Sequence, residues 1–469
     1  MGEQKVIEYQ AENTISDFHS SDAFVRGIRG PIGSGKSVGC CWEIWIRSMM
    51  QLPYEGKRAS KWGIVRGTYG ELRTTTISTW LDWFEPITHI SYGHPIHGLM
   101  KFPHPSGDGT IVECELIFLA LDHPKDVKKL KSLEFTGIWF NEAPEIHYSH
   151  ISMGTGRVNR YPSKTMGGFN WSGVIMDANS PDEANWWHEM SENEHPDDWE
   201  FFDQPPALIN IGTTKEPEFI ENPEAENICN HVIGSEYYFK QLPGKPIEWV
   251  NVFILNQYGS SEPGAYVYAN FGKENYSKKV FDPGRPIMWT HDFNYVPMCS
   301  GVLQRYGDDI HAVDEFVIHG AEGKDIAAEF VERYKDHKKC PVYLYGDADG
   351  NKGAKHGFES NYIVIEKILK AKGFKVYMKV PLSNGPIKDG QNALRAKILD
   401  ATGKRSFFVN PERCPTIGKI GTVQLKKGSA FLEERDSAGV QDIGTGIRYY
   451  INKEFPINKP ITTTQSIRL

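Results

Sequence analysis

The chain comprises 469 residues, 39% hydrophobic and 24% charged, and its 52 Lys and Arg against 60 Asp and Glu leave a formal net charge of -8. At roughly 100 to 200 residues per domain, this length predicts two or three domains, with two as the default. The acidic balance excludes a global field that attracts nucleic acid, and the lack of any run approaching roughly 18 apolar residues excludes a membrane-spanning helix.

The opening MGEQKVIEYQ is polar, without the apolar stretch of a secretory signal, and Val6 stands where N-myristoylation needs Ser or Thr. A cytosolic protein is expected. From about Ala23 to Ser180, short apolar runs alternate with helical stretches: AFVRGI, SVGCCWEIWIRSMM, KWGIVRG, IVECELIFLAL, FTGIWF and GVIMDAN. Strands interleaved with helices predict an α/β domain built on a mainly parallel sheet. From about Asp182 to Lys245 the sequence turns Trp-rich, acidic and Pro-rich with little periodicity, and an irregular lid or connecting subdomain is expected over about 182–250. A second α/β pattern begins near Tyr266 and includes IMWTHDF, MCSGVLQRY, IHAVDEFVI and PVYLYGDADG. The boundary is expected between Asn251 and Gly264, giving domains of residues 1–250 and 251–469. The seven cysteines are scattered and never form a C-x-x-C pair, so buried or free thiols are expected.

Gly30-Pro31-Ile32-Gly33-Ser34-Gly35-Lys36-Ser37 satisfies the P-loop pattern G-x-x-x-x-G-K-[ST] at every position. Average residue frequencies would produce such a match in a chain this long about two times in a hundred. An apolar strand leads in and an apolar-faced helix leads out, the context that the chemistry requires. The loop's backbone N–H groups are expected to close around phosphate oxygens, Lys36 to reach the β and γ phosphates of ATP, and Ser37 to ligate Mg2+. Hydrolysis also needs a group that activates water, usually a carboxylate at the end of a neighbouring strand. Thr136 to Phe140 is such a strand, and it delivers Asn141 and Glu142, with Glu142 the candidate base. Asn141 stands where such ATPases usually carry Asp, and its amide oxygen could accept a hydrogen bond from a Mg2+-bound water without adding charge.

The stretch KKLKSLEFTGIWFNEAPE resembles the signature of the large terminase subunit of tailed bacteriophages. The resemblance implies an N-terminal P-loop domain of RecA/ASCE-like architecture, with Asn141 and Glu142 at the Walker B and catalytic positions. GVIMDANSPD is similar to that family's coupling motif, with Asn179 as the γ-phosphate sensor. Many members carry Arg where this loop has Ile32, so a transition-state arginine must come from elsewhere, with Arg29, Arg66, Arg157 and Arg160 as candidates. QYGSSEPGAYVYANF resembles the segment that opens the family's RNase H-like nuclease domain.

Cutting a phosphodiester with two metals needs carboxylates converging on ions about 4 Å apart. Asp292 ends IMWTHD, Asp347 ends VYLYGD, and Asp442 opens DIGTGIRYYI. The resemblance makes these three the ligands of Mg2+ or Mn2+. Asp349 and Glu315 are weaker candidates, and His291 is read as a core histidine or one that orients a ligand. The turn DADGNKG fails as a calcium loop, because Lys352 and Phe358 occupy positions that need Gly and Glu. Lys352, Lys355, Lys388, Arg395, Lys397, Lys404 and Arg405 could together line a groove for DNA phosphates. The implied partners are double-stranded viral DNA, a portal on the procapsid, a small terminase subunit and further copies of the chain in a ring of five, all in the host-cell cytoplasm. A helicase or repair-type ATPase, and a packaging ATPase whose nuclease-like domain only binds DNA, remain as alternatives.

Overall fold

The computed structural model describes residues 8–259, 264–293, 297–348, 350, 360–426, 432–435 and 438–458. The chain divides into two units, and the division is more interleaved than a single cut near residue 250. The first comprises Met1–Ile209, Ile220–Tyr238 and Asn251–Ser260; the second comprises Asn210–Phe219, Phe239–Val250 and Ser261–Leu469. Among the described residues no helix is long and apolar enough to cross a membrane.

Strands β1 (Val25–Arg29), β2 (Lys57–Arg66), β3 (Thr88–Ser91), β4 (Ile96–Pro103), β5 (Ile111–Ala120), β6 (Gly137–Asn141), β7 (Gly173–Ala178) and β8 (Trp199–Asp203) build the first unit's sheet. Their order is β3-β4-β5-β2-β6-β7-β1-β8. From β5 to β8 every pairing is parallel, whereas β3 and β4 extend the edge antiparallel. The central strands are buried throughout, as expected of strands covered on both faces, and two apolar clusters hold them. Strand β7 lies between the strand that enters the P-loop and the strand that delivers Glu142, which is the ASCE-like arrangement expected. Two features differ from expectation. Strands β3 and β4 carry no clear apolar alternation in the sequence, because His, Gly and Lys interrupt it. Strand β8 lies inside the stretch expected to be irregular, where flanking acidic and Pro residues hide a five-residue strand.

A buried ionic cluster ties the P-loop helix Lys36–Met49 to β1. The Glu43 carboxylate accepts from Arg26 Nη2 at 2.6 Å, Arg47 Nε at 2.7 Å and His19 Nδ1 at 2.6 Å. Burial alone would raise its pKa, but the His19 hydrogen bond and the two guanidinium charges outweigh that and lower it from 4.5 to about 2. Replacing Glu43 with Ala leaves the buried Arg26 guanidinium without a carboxylate, while Arg47 keeps its ion pair to Asp22, and a cost of about 3–5 kcal/mol is expected in urea unfolding at pH 7. Because the folded pKa lies below the unfolded one, this contribution is present above about pH 4.5 and is lost as pH falls toward 2. The gap between wild type and variant should therefore narrow with acid; a gap independent of pH would contradict the assignment.

Strands β9 (Leu208–Asn210) and β10 (Phe219–Glu221) pair in a separate two-stranded sheet. In the second unit, β11 (Ile287–Asp292), β12 (Met298–Tyr306) and β13 (Asp309–Ile318) form an antiparallel meander. Strands β14 (Val342–Gly346), β15 (Val376–Met378) and β16 (Phe407–Val409) complete the order β15-β14-β11-β12-β13-β16. Strand β14 is parallel to β11, and β15 to β14. The unit's first strand is thus central, flanked by its second and fourth, which is the RNase H-like order expected. Helices Gly323–Arg333 and Asn361–Ala371 pack on one face through Ile326, Phe330, Ile365 and Leu369. Helix Val440–Glu454 lies close to β11: a Cβ at Gly446 would approach the His291 carbonyl carbon at 3.1 Å and the Asp292 nitrogen at 3.4 Å. A side chain there would require the helix or the strand to give by a few tenths of an ångström.

Candidate functional site

The P-loop runs from the end of β1 into the helix Lys36–Met49. Gly33 and Gly35 adopt φ of +70° and +84°, backbone that residues with a Cβ rarely take. The buried Lys36 ammonium donates to the carbonyls of Gly30 (2.9 Å) and Pro31 (2.6 Å) and to Asn179 Oδ1 (3.3 Å). Burial lowers its pKa, against the opposing pull of Glu142 and Asp177.

Residues from the stretch expected to be irregular hold this loop. Gln204 Nε2 and Asn227 Nδ2 both donate to the Ser34 carbonyl, at 2.9 and 2.8 Å, and the Tyr238 hydroxyl donates to Ile32 O at 2.9 Å. Ser34 Oγ in turn lies 2.6 Å from Gln204 Oε1, and His231 lies against Gly33. No periodic pattern marks these contacts, which join positions far apart in the chain. A cavity of about 1180 Å³ opens over the loop, lined in part by Tyr9, Gln10, Trp83, Lys36, Glu142 and His231.

Glu142 follows β6 in the left-handed region, at φ +51°, and its carboxylate accepts from Asn179 N and Nδ2, each at 3.2 Å. Asn179 therefore bridges Lys36 and Glu142. Burial, followed by repulsion from Asp177, raises the Glu142 pKa to about 7, although Arg66 and Lys36 pull the other way. The Asn141 amide oxygen accepts from Thr76 Oγ1 at 2.7 Å, while its Nδ2 lies 3.0 Å from both carboxylate oxygens of Asp177. Ser37 Oγ donates to Asp177 Oδ2 at 2.6 Å. Sequence reasoning missed Asp177, which sits inside the apolar run GVIMDAN.

The candidate arginines separate. Arg29 forks onto Asp203, donates to Ser180 and the Asn256 carbonyl, and stacks on Tyr258, so its role is structural. Arg66 lies nearer the chemistry, with Nη1 3.4 Å from the Asn141 carbonyl and an ion pair to Glu145 at 3.5 Å. Arg160 is exposed and Arg157 half-buried.

In the second unit, Asp292 ends β11 and Asp347 follows β14, and the parallel register pairs His291 with Gly346, so the two acids leave neighbouring strand ends. Asp442 occupies the first turn of helix Val440–Glu454, one turn before the glycine that touches β11. Burial, then the charges of Asp442 and Asp347, raise the Asp292 pKa to about 7. The three acids are therefore electrostatic neighbours. Among the described residues, no group of three or more His, Cys, Asp or Glu stands at metal-ligand spacing. Oxygen-only donors of this kind suit Mg2+ or Mn2+.

Other candidates take different roles. Glu315 accepts from the backbone N–H groups of Thr416 and Ile417 at 2.8 and 2.9 Å and so caps the turn Ile417–Thr422. His291 is buried between Trp289 and Phe293, and burial lowers its pKa to about 3, which keeps it neutral. Arg395 donates to the Val267 carbonyl at 2.7 Å and Arg405 to the Asn270 carbonyl at 2.9 Å, so both are engaged inside the unit. Lys397 covers the Phe455 ring, and Lys404 faces Asp308. Asp349, Lys352 and Lys355 lie outside the described residues.

No protein-family model and no curated protein sequence matches the chain. By structure, it is similar to the large terminase from a thermophilic bacteriophage, with a TM-score of 0.61 at 13% identity over 94% of this chain and 98% of that chain. The same terminase in complex with ATP-gamma-S gives a TM-score of 0.59 at 13% identity, over 94% of this chain and 97% of that chain. Its complex with ADP gives 0.58 at 13% identity, over 93% and 94%. The fold is that of a bacteriophage large terminase along nearly the whole chain.

Proposed function

We propose that the chain is a terminase large subunit, which drives double-stranded viral DNA into a procapsid by hydrolysing ATP and cuts concatemeric DNA with a metal-dependent endonuclease. The observation that carries this reading is the union, in one chain of that fold, of two chemistries. Lys36, Glu142 and Asn179 meet at a P-loop, and Asp292, Asp347 and Asp442 are electrostatic neighbours at strand and helix ends of an RNase H-like sheet.

In the first unit, the P-loop N–H groups and Lys36 bind the phosphates of ATP, and Glu142 orients and deprotonates water. Bound Mg2+ neutralises phosphate charge. Asn179 touches both Lys36 and Glu142, so a γ-phosphate that engages either residue changes the bond to the other. In the second unit, Asp292, Asp347 and Asp442 would hold the metal ions, which would supply activation of water and stabilisation of the leaving oxygen. The chain works as a homo-oligomeric ring, a pentamer on the portal, with a small subunit choosing the DNA, in the host-cell cytoplasm.

One observation favours a second reading, a packaging ATPase whose nuclease-like unit only binds DNA: the described acids do not stand at metal-ligand spacing. A second motor domain, as in a helicase, has no support from the meander-centred sheet. Purified wild-type chain should release phosphate from ATP with Mg2+ and convert supercoiled plasmid to nicked and linear forms with Mg2+ or Mn2+. Phosphate release with plasmid left intact under both metals would favour the binding-only reading.

A further inference from the structure

Three features of the ATP site do not fit a cation held at position 141. Asn141 carries no charge, its oxygen is engaged by Thr76, and its amide nitrogen faces Asp177. One strand away, Asp177 stands in direct parallel register with Asn141. Its Oδ2 accepts from Ser37, the hydroxyl that a P-loop offers to Mg2+, at 2.6 Å. Asp177 is fully buried, and its other partners are the neutral donors Trp139 Nε1 at 2.8 Å and Asn141 Nδ2. Among the described residues, no Lys or Arg forms an ion pair with it. The Lys36 ammonium acts on it only through space, its own bonds going to Gly30, Pro31 and Asn179, and a buried carboxylate whose direct partners are neutral donors gains from a cation that binds beside it.

We propose that Asp177, on the strand inserted beside β6, is the anion that holds the divalent cation of bound nucleotide together with Ser37. The proposal rests on the reading of the first unit as an ATP site. It moves the acidic role from the strand that carries the base to its neighbour. Asp177 approaches the same point as Ser37 because β7 lies between β1 and β6. The bond from Asn141 Nδ2 then positions the carboxylate. A purely structural Asp177 would bind together the P-loop, β6 and β7 and make no difference to metal.

The two roles separate in a titration of the full chain with a fluorescent ATP analogue, once in EDTA and once against rising Mg2+. Losing an anion beside the triphosphate should tighten binding in EDTA, while the Mg2+ needed for half-saturation rises at least about tenfold in Asp177→Asn, since a neutral amide cannot balance the ion. The double variant Asn141→Asp/Asp177→Asn keeps one charge in the pair, and position 141 also adjoins Ser37, with Nδ2 3.4 Å from its Oγ. It should return the Mg2+ requirement to within about threefold of wild type, because the ion again meets one carboxylate. It also carries the test if the single variant fails to fold. Equal weakening of Asp177→Asn in EDTA and in Mg2+, an unchanged Mg2+ requirement, or a double variant that stays impaired would each overturn the proposal. Wild-type chain that binds no analogue under either condition would instead overturn the ATP-site reading beneath it.

Discussion

Glu142→Gln should lower ATP turnover by about 10²- to 10⁴-fold, the range expected when a general base is removed, while nucleotide still binds. The carboxylate stands at the end of β6, fixed by two bonds from Asn179. Its pKa, raised to about 7 chiefly by burial, makes it a better proton acceptor than an exposed Glu and leaves it substantially ionised near neutral pH. Glutamine keeps the shape but cannot take a proton. Phosphate release and analogue binding measured together distinguish a lost base from a lost site. Turnover within a factor of about two of wild type would remove Glu142 from the chemistry.

Asp292→Asn should lower plasmid cleavage by at least about 10³-fold, the scale on which one member of a catalytic set acts. Its folded pKa of about 7 lies well above 3.8, because burial and then Asp442 and Asp347 oppose its ionisation. Such a group supplies stability below the unfolded pKa that is lost as pH rises through the folded value. In metal-free buffer at pH 8 the ionised wild-type carboxylate is therefore a burden, and the Asn variant should melt no earlier than wild type. Cleavage lost together with a lowered melting temperature at that pH would identify a folding defect instead.

The sequence made the P-loop plain because its chemistry is local: eight consecutive residues carry the turn, the charge and the hydroxyl. The strand ends before Glu142, Asp292 and Asp347 were legible because an apolar run that stops at an acid marks itself, whereas the roles of Asp292 and Asp347 came from the family resemblance and not from spacing. Asp177 was not. It sits inside a buried strand, and its meaning arises from a parallel register with Asn141, 36 residues earlier. The residues that clamp the loop, Gln204, Asn227 and Tyr238, were equally hidden, because contacts 170 or more residues apart leave no periodic trace. Among the basic residues, charge suggested a DNA groove, yet Arg395 and Arg405 satisfy backbone carbonyls instead. A sequence lists charges without saying which have already found partners.

The central claim is that one chain carries two independent hydrolytic sites. Its most direct test is phosphate release and plasmid conversion measured on the same preparations of wild type, Glu142→Gln and Asp292→Asn. The expected result is a crossover: Glu142→Gln loses ATP turnover and still cuts, whereas Asp292→Asn stops cutting and still hydrolyses ATP. Loss of both activities in both variants, with each still folded, would contradict it.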